Sequence, residues 1–256
     1  MNIHRVVGLY YSAAGSTALA AKLQVPAEFI PFITPDDRAA AHRFAPTDLL
    51  VVGTPTYAGK MPNKLLPSFR SQLAGDHTPS VALVTFGNRS YDNALAELWS
   101  VLMNNGFHPV AAGAFVGRHA FTDKLGEGRP DWDDKRQMRQ FAAQIAGKLR
   151  SGRGETVAVP GVPDAPYYIP KGVEPVKFLQ AKPRTDPGKC TNCGACARLC
   201  PMGAIDPRDV FRVPGTCIKC QCCVRKCTRH AKYFDDPAFL SHVAMLEQNF
   251  AEPKEN

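Results

Sequence analysis

The sequence predicts an α/β protein in two parts: a doubly wound parallel sheet, then a small α+β module held together by its cysteines. Three observations carry this reading. Through residues 4–150, short apolar runs alternate with helical patterns, and the apolar runs are continuous, as in strands buried on both faces. All nine cysteines of the 256-residue chain fall between positions 190 and 227. Between these regions lies "SGRGETVAVPGVPDAPYYIPKGVEPVKFLQAKPR", rich in Pro and Gly and without either period. The length suits one ordinary domain plus a small one. The expected division is a sheet domain at 1–150, a linker at 151–186, a cysteine module at 187–235, and a C-terminal helix and tail at 236–256.

The elements follow in order. "HRVVGLYYS" (4–12) is a strand that opens into the Gly/Ser turn "AAGST" and a helix at about 16–24. "AEFIPFI" (27–33) is a second strand, and "DLLVVG" (48–53) a third that runs into "TPTYAGKMP". "NKLLPSFRSQL" is helical, kinked or broken at Pro67, whose ring and missing N–H disrupt a helix interior. A strand at 81–86, a helix at about 91–105 and a strand at "HPVAAGAF" (108–115) complete the pattern. The last helix starts near Asp131, where Asp134 three residues on gives an acidic capping signal. It ends near Leu149, with Met138, Phe141, Ile145 and Leu149 as its apolar face. "PAFLSHVAMLEQNF" (237–250) reads as an amphipathic helix packed on one of the two parts. The linker is too long for a bare loop in a compact fold. Its "YYIP" and "KFL" anchors favour wrapping along the first domain.

The cysteines form two runs. Cys190, Cys193, Cys196 and Cys200 are followed by Pro201, and Cys217, Cys220, Cys223 and Cys227 repeat the spacing. Compact iron–sulfur cubanes need four soft thiolates, and C-x2-C-x2-C-x3-C-P is a run that supplies them. Structural zinc is the competing reading, but all-cysteine zinc sites come as separated pairs. Thr228 replaces the second proline without removing a ligand. Cys222 breaks the spacing and is expected to be a small apolar neighbour of the cluster. The odd count and tight clustering argue against a disulfide framework. "PMGAID" and "DVFRV" are expected to form a small hairpin, with "HAKYF" as a counterpart.

The net charge of +8 sits wholly on this region: residues 182–232 carry eleven Lys/Arg against three Asp, and the rest balances at twenty each. Thiolates on two clusters would cancel half of it, each oxidised cubane with its four thiolates counting a formal −2. Nucleic-acid binding is not expected, since no groove-reading motif or aromatic interleaving accompanies the charge. No run approaches the roughly 20 apolar residues of a membrane helix, and the N-terminus does not read as a secretory signal. A cytoplasmic protein without membrane attachment is expected.

The double cysteine run resembles bacterial two-[4Fe–4S] ferredoxin domains. That resemblance implies crossed ligation: Cys190, Cys193 and Cys196 with Cys227 on one cluster, and Cys217, Cys220 and Cys223 with Cys200 on the other.

In doubly wound sheets, ligands bind at the carboxyl ends of strands, and the chemically unusual loops here are 12–17, 54–62 and 87–92. No G-x-G-x-x-G or Walker lysine is present. "SAAGST" instead offers the hydroxyls of Ser12, Ser16 and Thr17 at a helix N-terminus, a cradle for one phosphate. It resembles the T/S-x-T-G-x-T phosphate loop of flavodoxins: Ser12, Gly15 and Thr17 match, and Ala14 departs where a hydroxyl is usual. "TPTYAGKMP" is similar to loops along the flavin ring edge in that fold. "GNRSYDNALAEL" and "AAGAFVGRH" resemble segments of bacterial and archaeal proteins that fuse a flavodoxin-like domain to a ferredoxin. The resemblance covers about residues 4–235 and implies a flavodoxin-like domain binding FMN. The implied contacts are Ser12, Ala13, Ala14, Gly15, Ser16 and Thr17 at the phosphate. Thr54, Pro55, Thr56, Tyr57, Ala58 and Gly59 would follow along the ring, and Phe86, Gly87, Asn88, Arg89 and Tyr91 at its polar edge. His119 is a further candidate to face the flavin or the second part, and Asp92 reads as a helix cap.

The implied function is electron transfer between FMN and two [4Fe–4S] clusters. A flavin-dependent reductase and a ferredoxin carrier with a non-flavin docking domain remain open. No catalytic base or nucleophile is legible. Redox proteins with an acidic docking face are the expected partners, and a homodimer stays open.

Overall fold

The computed structural model describes residues 2–22, 28–169 and 180–256. "KFL" and the end of the first expected helix lie outside them. The elements are β1 (Arg5–Tyr10), α1 (Ser16–Lys22), β2 (Glu28–Pro31), β3 (His42–Phe44), β4 (Asp48–Pro55), α2 (Leu66–Gln72), β5 (Leu73–Gly75), β6 (Thr78–Phe86), α3 (Ala94–Asn104), β7 (Phe107–Val116), α4 (Trp132–Arg150), β8 (Arg184–Thr185), α5 (Ala195–Arg198), α6 (Cys222–Arg225), β9 (Lys232–Tyr233) and α7 (Pro237–Asn249).

The main sheet has the order β2-β1-β4-β6-β7 and all its pairings are parallel. Counted by strand in the sheet, this is the flavodoxin-like order 2-1-3-4-5. Side chains of a strand alternate between faces. Leu50, Val52, Ala82 and Val84 therefore pack against Leu65 and Phe69 near α2 and against Leu98 and Leu102 of α3. Leu49, Val51, Val81 and Leu83 pack against Met138, Ile145 and Leu149 of α4. The full capping box of Asp131 and Asp134 starts α4. Pro67 neither kinks nor breaks α2. It stands in the first turn, where a missing N–H costs nothing.

Two short pieces differ from expectation. β3 and β5 form a separate parallel ladder of three residues each, too short to leave a period. The hairpin expected of "PMGAID" and "DVFRV" is a turn without strands. Two bonds join its arms, Asp206 N–H to Arg212 O (3.0 Å) and Gly215 N–H to Ala204 O (3.1 Å), but Arg212 N–H turns back to Asp209 O (3.0 Å) and Ala204 N–H goes to Cys200 Sγ (3.3 Å). The module's ladder instead joins Arg184–Thr185 to Lys232–Tyr233, the latter within "HAKYF".

The stretch after α4 wraps. Val157 N–H bonds Pro109 O (3.1 Å), Val162 N–H bonds Asn93 Oδ1 (2.8 Å), Tyr167 Oη bonds Met61 O (2.8 Å) and Tyr168 N–H bonds Ala58 O (2.8 Å). α7 buries Phe239, His242 and Leu246, with Phe239 edge-on to Phe121. Among the described residues no helix is long and apolar enough to cross a membrane.

Candidate functional site

The order in which strands are added reverses between β1 and β4, and the crevice beyond their carboxyl ends is where this strand order binds ligands. Tyr11 follows β1 and is fully buried. Its hydroxyl meets that of Tyr57 at 3.3 Å, and the rings stand edge to face at 6.4 Å. Tyr57 is half-buried at the base of a tight turn: its N–H bonds Lys60 O (2.8 Å), and Lys60 N–H returns to Tyr57 O (3.1 Å). Ala58 (φ 46°) and Gly59 (φ 80°) are the two central residues. That is the left-handed pair such a two-residue turn demands. Burial first, and the neighbouring Cys220, push both phenols well above their ordinary range.

The phosphate-loop residues divide. Ser12 Oγ accepts Gly15 N–H (3.2 Å), and Gly15 adopts φ 110° with open space beside it. Ala13 is buried and Ala14 half-exposed. Ser16 lies against Gly117, where a Cβ would come within 2.8 Å of it. Thr17 Oγ1 pairs with Thr85 Oγ1 at 2.6 Å and so faces the sheet. The amides of the first turn of α1 have no intrahelical acceptor, as at any helix start.

Thr54 is fully buried, and Pro55 pairs with Thr85 across β4 and β6. Thr56 N–H bonds Thr85 O (2.7 Å), while Thr56 Oγ1 is buried without a partner among the described residues. An unpaired buried hydroxyl carries a desolvation cost that a ligand can relieve. Gly59 abuts Asp92, and Asn93 N–H bonds Gly59 O (2.9 Å), which joins the second and third loops.

The third loop has partners from distant sequence. Asn88 Nδ2 donates to Phe250 O (2.6 Å) and Glu252 O (2.9 Å), and its Oδ1 accepts Lys254 N–H (3.0 Å). Arg89 pairs with Asp92 and lies 3.8 Å over the Tyr168 ring. Asp92 is thus an ion-pair partner, and Asn93, not Asp92, precedes α3. Tyr91 packs on Phe86 with ring centroids 5.7 Å apart. Gly87 touches His119, whose Nδ1 accepts Phe121 N–H (3.1 Å). Burial holds that imidazole down to about 4, with His242, Arg225 and Arg89 adding to the effect. Loops 12–17 and 54–59 thus meet at the switch point, whereas Asn88 and Arg89 are turned to the tail and the wrapping stretch.

The cysteine module is a structural repeat. Each cysteine of the second run stands at one constant offset from its counterpart in the first, and the backbone repeats with it. Asn192 (φ 53°) and Lys219 (φ 54°) correspond, as do Gly194 (φ 72°) and Gln221 (φ 62°), and Gly203 (φ 58°) and His230 (φ 50°). The short helices α5 and α6 match in the same way. Sulfur contacts repeat too: Asn192 N–H to Cys190 and Lys219 N–H to Cys217 are both 3.4 Å, and Ala204 N–H to Cys200 and Ala231 N–H to Cys227 are both 3.3 Å. Amide-to-sulfur bonds of this kind stabilise thiolate ligands and tune a cluster. Cys200 lines one small cavity with Cys217, Cys220 and Cys223. Among the described residues, no three His, Cys, Asp or Glu converge as they must on a single ion, and a cubane spreads its four thiolates more widely.

Cys222 also lines that cavity, with Sγ directed at Leu199 O (3.4 Å). By the repeat it corresponds to Ala195. Cys220 and Cys222 share one apolar cluster with Tyr11, Phe32 and, packed at its edge, Tyr57. Cys193, by contrast, is exposed. Two arginines pin the module in this pose. Arg38, buried, donates to Pro201 O (2.6 Å). Arg225 donates to His119 O (3.2 Å) and Ala120 O (3.1 Å) and pairs with Asp123. Tyr11, Arg38 and Arg225 were not among the sequence candidates. Tyr11 had a weak signal in the doublet Tyr10–Tyr11 at a strand end, and the arginines had none.

Residues 183–206 match the model of the family described as 4Fe-4S binding domain. No curated protein matches the sequence. Among solved structures, the chain is similar to a flavodoxin from the domain Archaea, at 15% identity over 57% of this chain and 99% of that one, TM-score 0.36. It is similar to the Streptococcus pneumonia TIGR4 flavodoxin at 15% identity over 56% and 98%, TM-score 0.39. The rubredoxin oxygen:oxidoreductase of the anaerobe Desulfovibrio gigas follows at 18% over 57% and 36%, TM-score 0.37. The fold assignment rests on strand order and direction. The chain joins a flavodoxin-like sheet to a cysteine module whose residues 183–206 match a 4Fe-4S binding domain, with at least one [4Fe–4S] site.

Proposed function

We propose that this chain passes electrons between FMN, held at the β1/β4 switch point, and two [4Fe–4S] clusters with crossed ligation. The observation that carries the reading is the single apolar cluster that contains Cys220, Cys222 and Tyr11 and packs against Tyr57. It gives the second cysteine set and the ligand edge of the sheet a common wall. The cavity shared by Cys200, Cys217, Cys220 and Cys223 supports the crossed assignment. Cys190, Cys193, Cys196 and Cys227 then hold the other cluster.

Bound FMN supplies a centre that takes one or two electrons, whereas each cluster takes one. The chain's own part is positional. Ser12 and the first-turn amides of α1 would hold the phosphate, Thr56 Oγ1 would gain a partner, and Tyr57 would cover the ring. The tyrosine pair excludes water between the crevice and the inner cluster. The outer cluster, with Cys193 exposed, is the natural exit. Exposed Lys189, Arg198, Lys226 and Arg229 flank its ligands. An acidic redox protein fits that rim, because complementary charge speeds encounter. The sequence departures that preserve all eight ligands, Thr228 and Cys222, do not alter this route.

The test is cofactor analysis of protein purified without oxygen. Iron and acid-labile sulfide should each approach about eight per chain, from two four-iron clusters, and heat-released flavin should run as FMN. Zinc without sulfide would remove the clusters from the account. FAD in place of FMN, or FMN that never binds the flavin-free protein, would remove the flavin.

A further inference from the structure

The repeat of the cysteine module places Lys232 where the first half has Ile205. Both are 3% exposed. An apolar station in one half is thus a buried lysine in the other. Burying an ammonium is costly unless something compensates. Lys232 Nζ donates to Val210 O at 2.5 Å, and no carboxylate among the described residues pairs with it. Val210 lies in the small apolar cluster that contains Ile205 and Cys223 and packs against Cys190, Cys196 and Cys200. The ammonium therefore ends at the apolar cluster that cysteines of both sets share.

We propose that Lys232 is a shared electrostatic control of both clusters, its buried cation favouring the reduced state of each. The inference rests on the two-cluster reading. When a cubane gains one electron its negative charge grows by one, and a cation held in low dielectric stabilises that form more than the oxidised one. The position explains how the cost of burial is met: clusters on both sides would supply the opposite charge. Lys219, also buried, bonds the carbonyl of Cys217 (3.0 Å).

The experiment is a potentiometric titration of the full chain, purified without oxygen and followed by electron paramagnetic resonance and visible absorbance. The parent is compared with Lys232→Ile, Lys232→Met and Lys232→Arg. The first restores the residue that the other half tolerates, the second keeps length without charge, and the third keeps charge. Iron in the parent reports on the two-cluster reading separately from the potentials. With eight irons kept, Lys232→Ile and Lys232→Met should disfavour reduction of both clusters at least tenfold, about 59 mV for a one-electron couple. Lys232→Arg should stay near the parent. Unchanged potentials at full iron content would overturn the proposal, as would a shift in one cluster alone. Loss of a cluster in both uncharged variants would assign the lysine to holding the fold and would equally overturn it.

Discussion

Cys222 occupies, in the second cysteine run, the station that Ala195 fills in the first, and both open a four-residue helix. The backbone that aims the ligands is the same in the two halves, so a ligand role for Cys222 would require one half to fold differently. Cys222→Ala should keep the parent's iron content and visible spectrum, and the loss of a whole cluster would contradict the register. His119 offers a test by pH. Its folded value is about 4, held down by burial, against about 6.5 in an unfolded chain. Between these values the unfolded chain binds the proton and the folded chain does not. Stability therefore falls as pH drops from about 6.5 towards 4, by about 1.4 kcal/mol per pH unit. His242, lowered by burial as well, acts in the same direction. Denaturant midpoints followed by the fluorescence of Trp99 and Trp132 should drop between pH 7 and 5, and His119→Gln should lessen that drop. An equal drop in the two proteins would place the acid sensitivity elsewhere. At this scale the sequence was informative where chemistry is local. Cysteine spacing could be read, but the partners of Asn88 could not, because they are backbone groups of the distant tail.

The strands of the main sheet were legible because each is a continuous apolar run, and α4 because its capping box and apolar stripe agree. The β3/β5 ladder was not, since three residues carry no period. The turn at 201–213 misled because apolar Ile205, Val210 and Val213 face the cysteines rather than a strand partner. The wrapping stretch was anticipated from its tyrosines, but its anchor was hidden. Buried Lys60 pairs with Glu97 at 3.1 Å and also donates to Pro163 O. Lys60→Met leaves Glu97 buried beside a lost cation, although Met61 N–H still reaches it at 2.8 Å. The change should cost about 3–5 kcal/mol and open residues 155–168 to limited proteolysis. A stable, protease-resistant variant would mean that the stretch is held by its other contacts.

For the whole molecule, the position of the cysteine module depends on two arginines from opposite sides, Arg38 on Pro201 and Arg225 on the loop after β7. Neither had a sequence signal, because a residue that joins parts of a chain answers to tertiary position rather than to period. Arg38→Met leaves Pro201 O without its donor, and Arg225→Met takes one of two arginines from Asp123, which keeps Arg118 at 3.2 Å, and removes the donor of two carbonyls. The double variant should keep its cofactors and gain amide exchange at 119–123 and 202–204. Exchange equal to the parent would show that the apolar cluster around Tyr11 and Cys220 holds the parts together unaided. The account's central claim is that the switch point and the inner cluster form one electron path within one chain. Its most direct test is a rapid-mixing experiment without oxygen, in which the oxidised, fully loaded protein receives less reductant than its centres can take. Flavin and cluster absorbances are then followed over a tenfold range of protein concentration. The account predicts that electrons redistribute between flavin and clusters at a rate independent of concentration, and a rate that rises in proportion to concentration would contradict it.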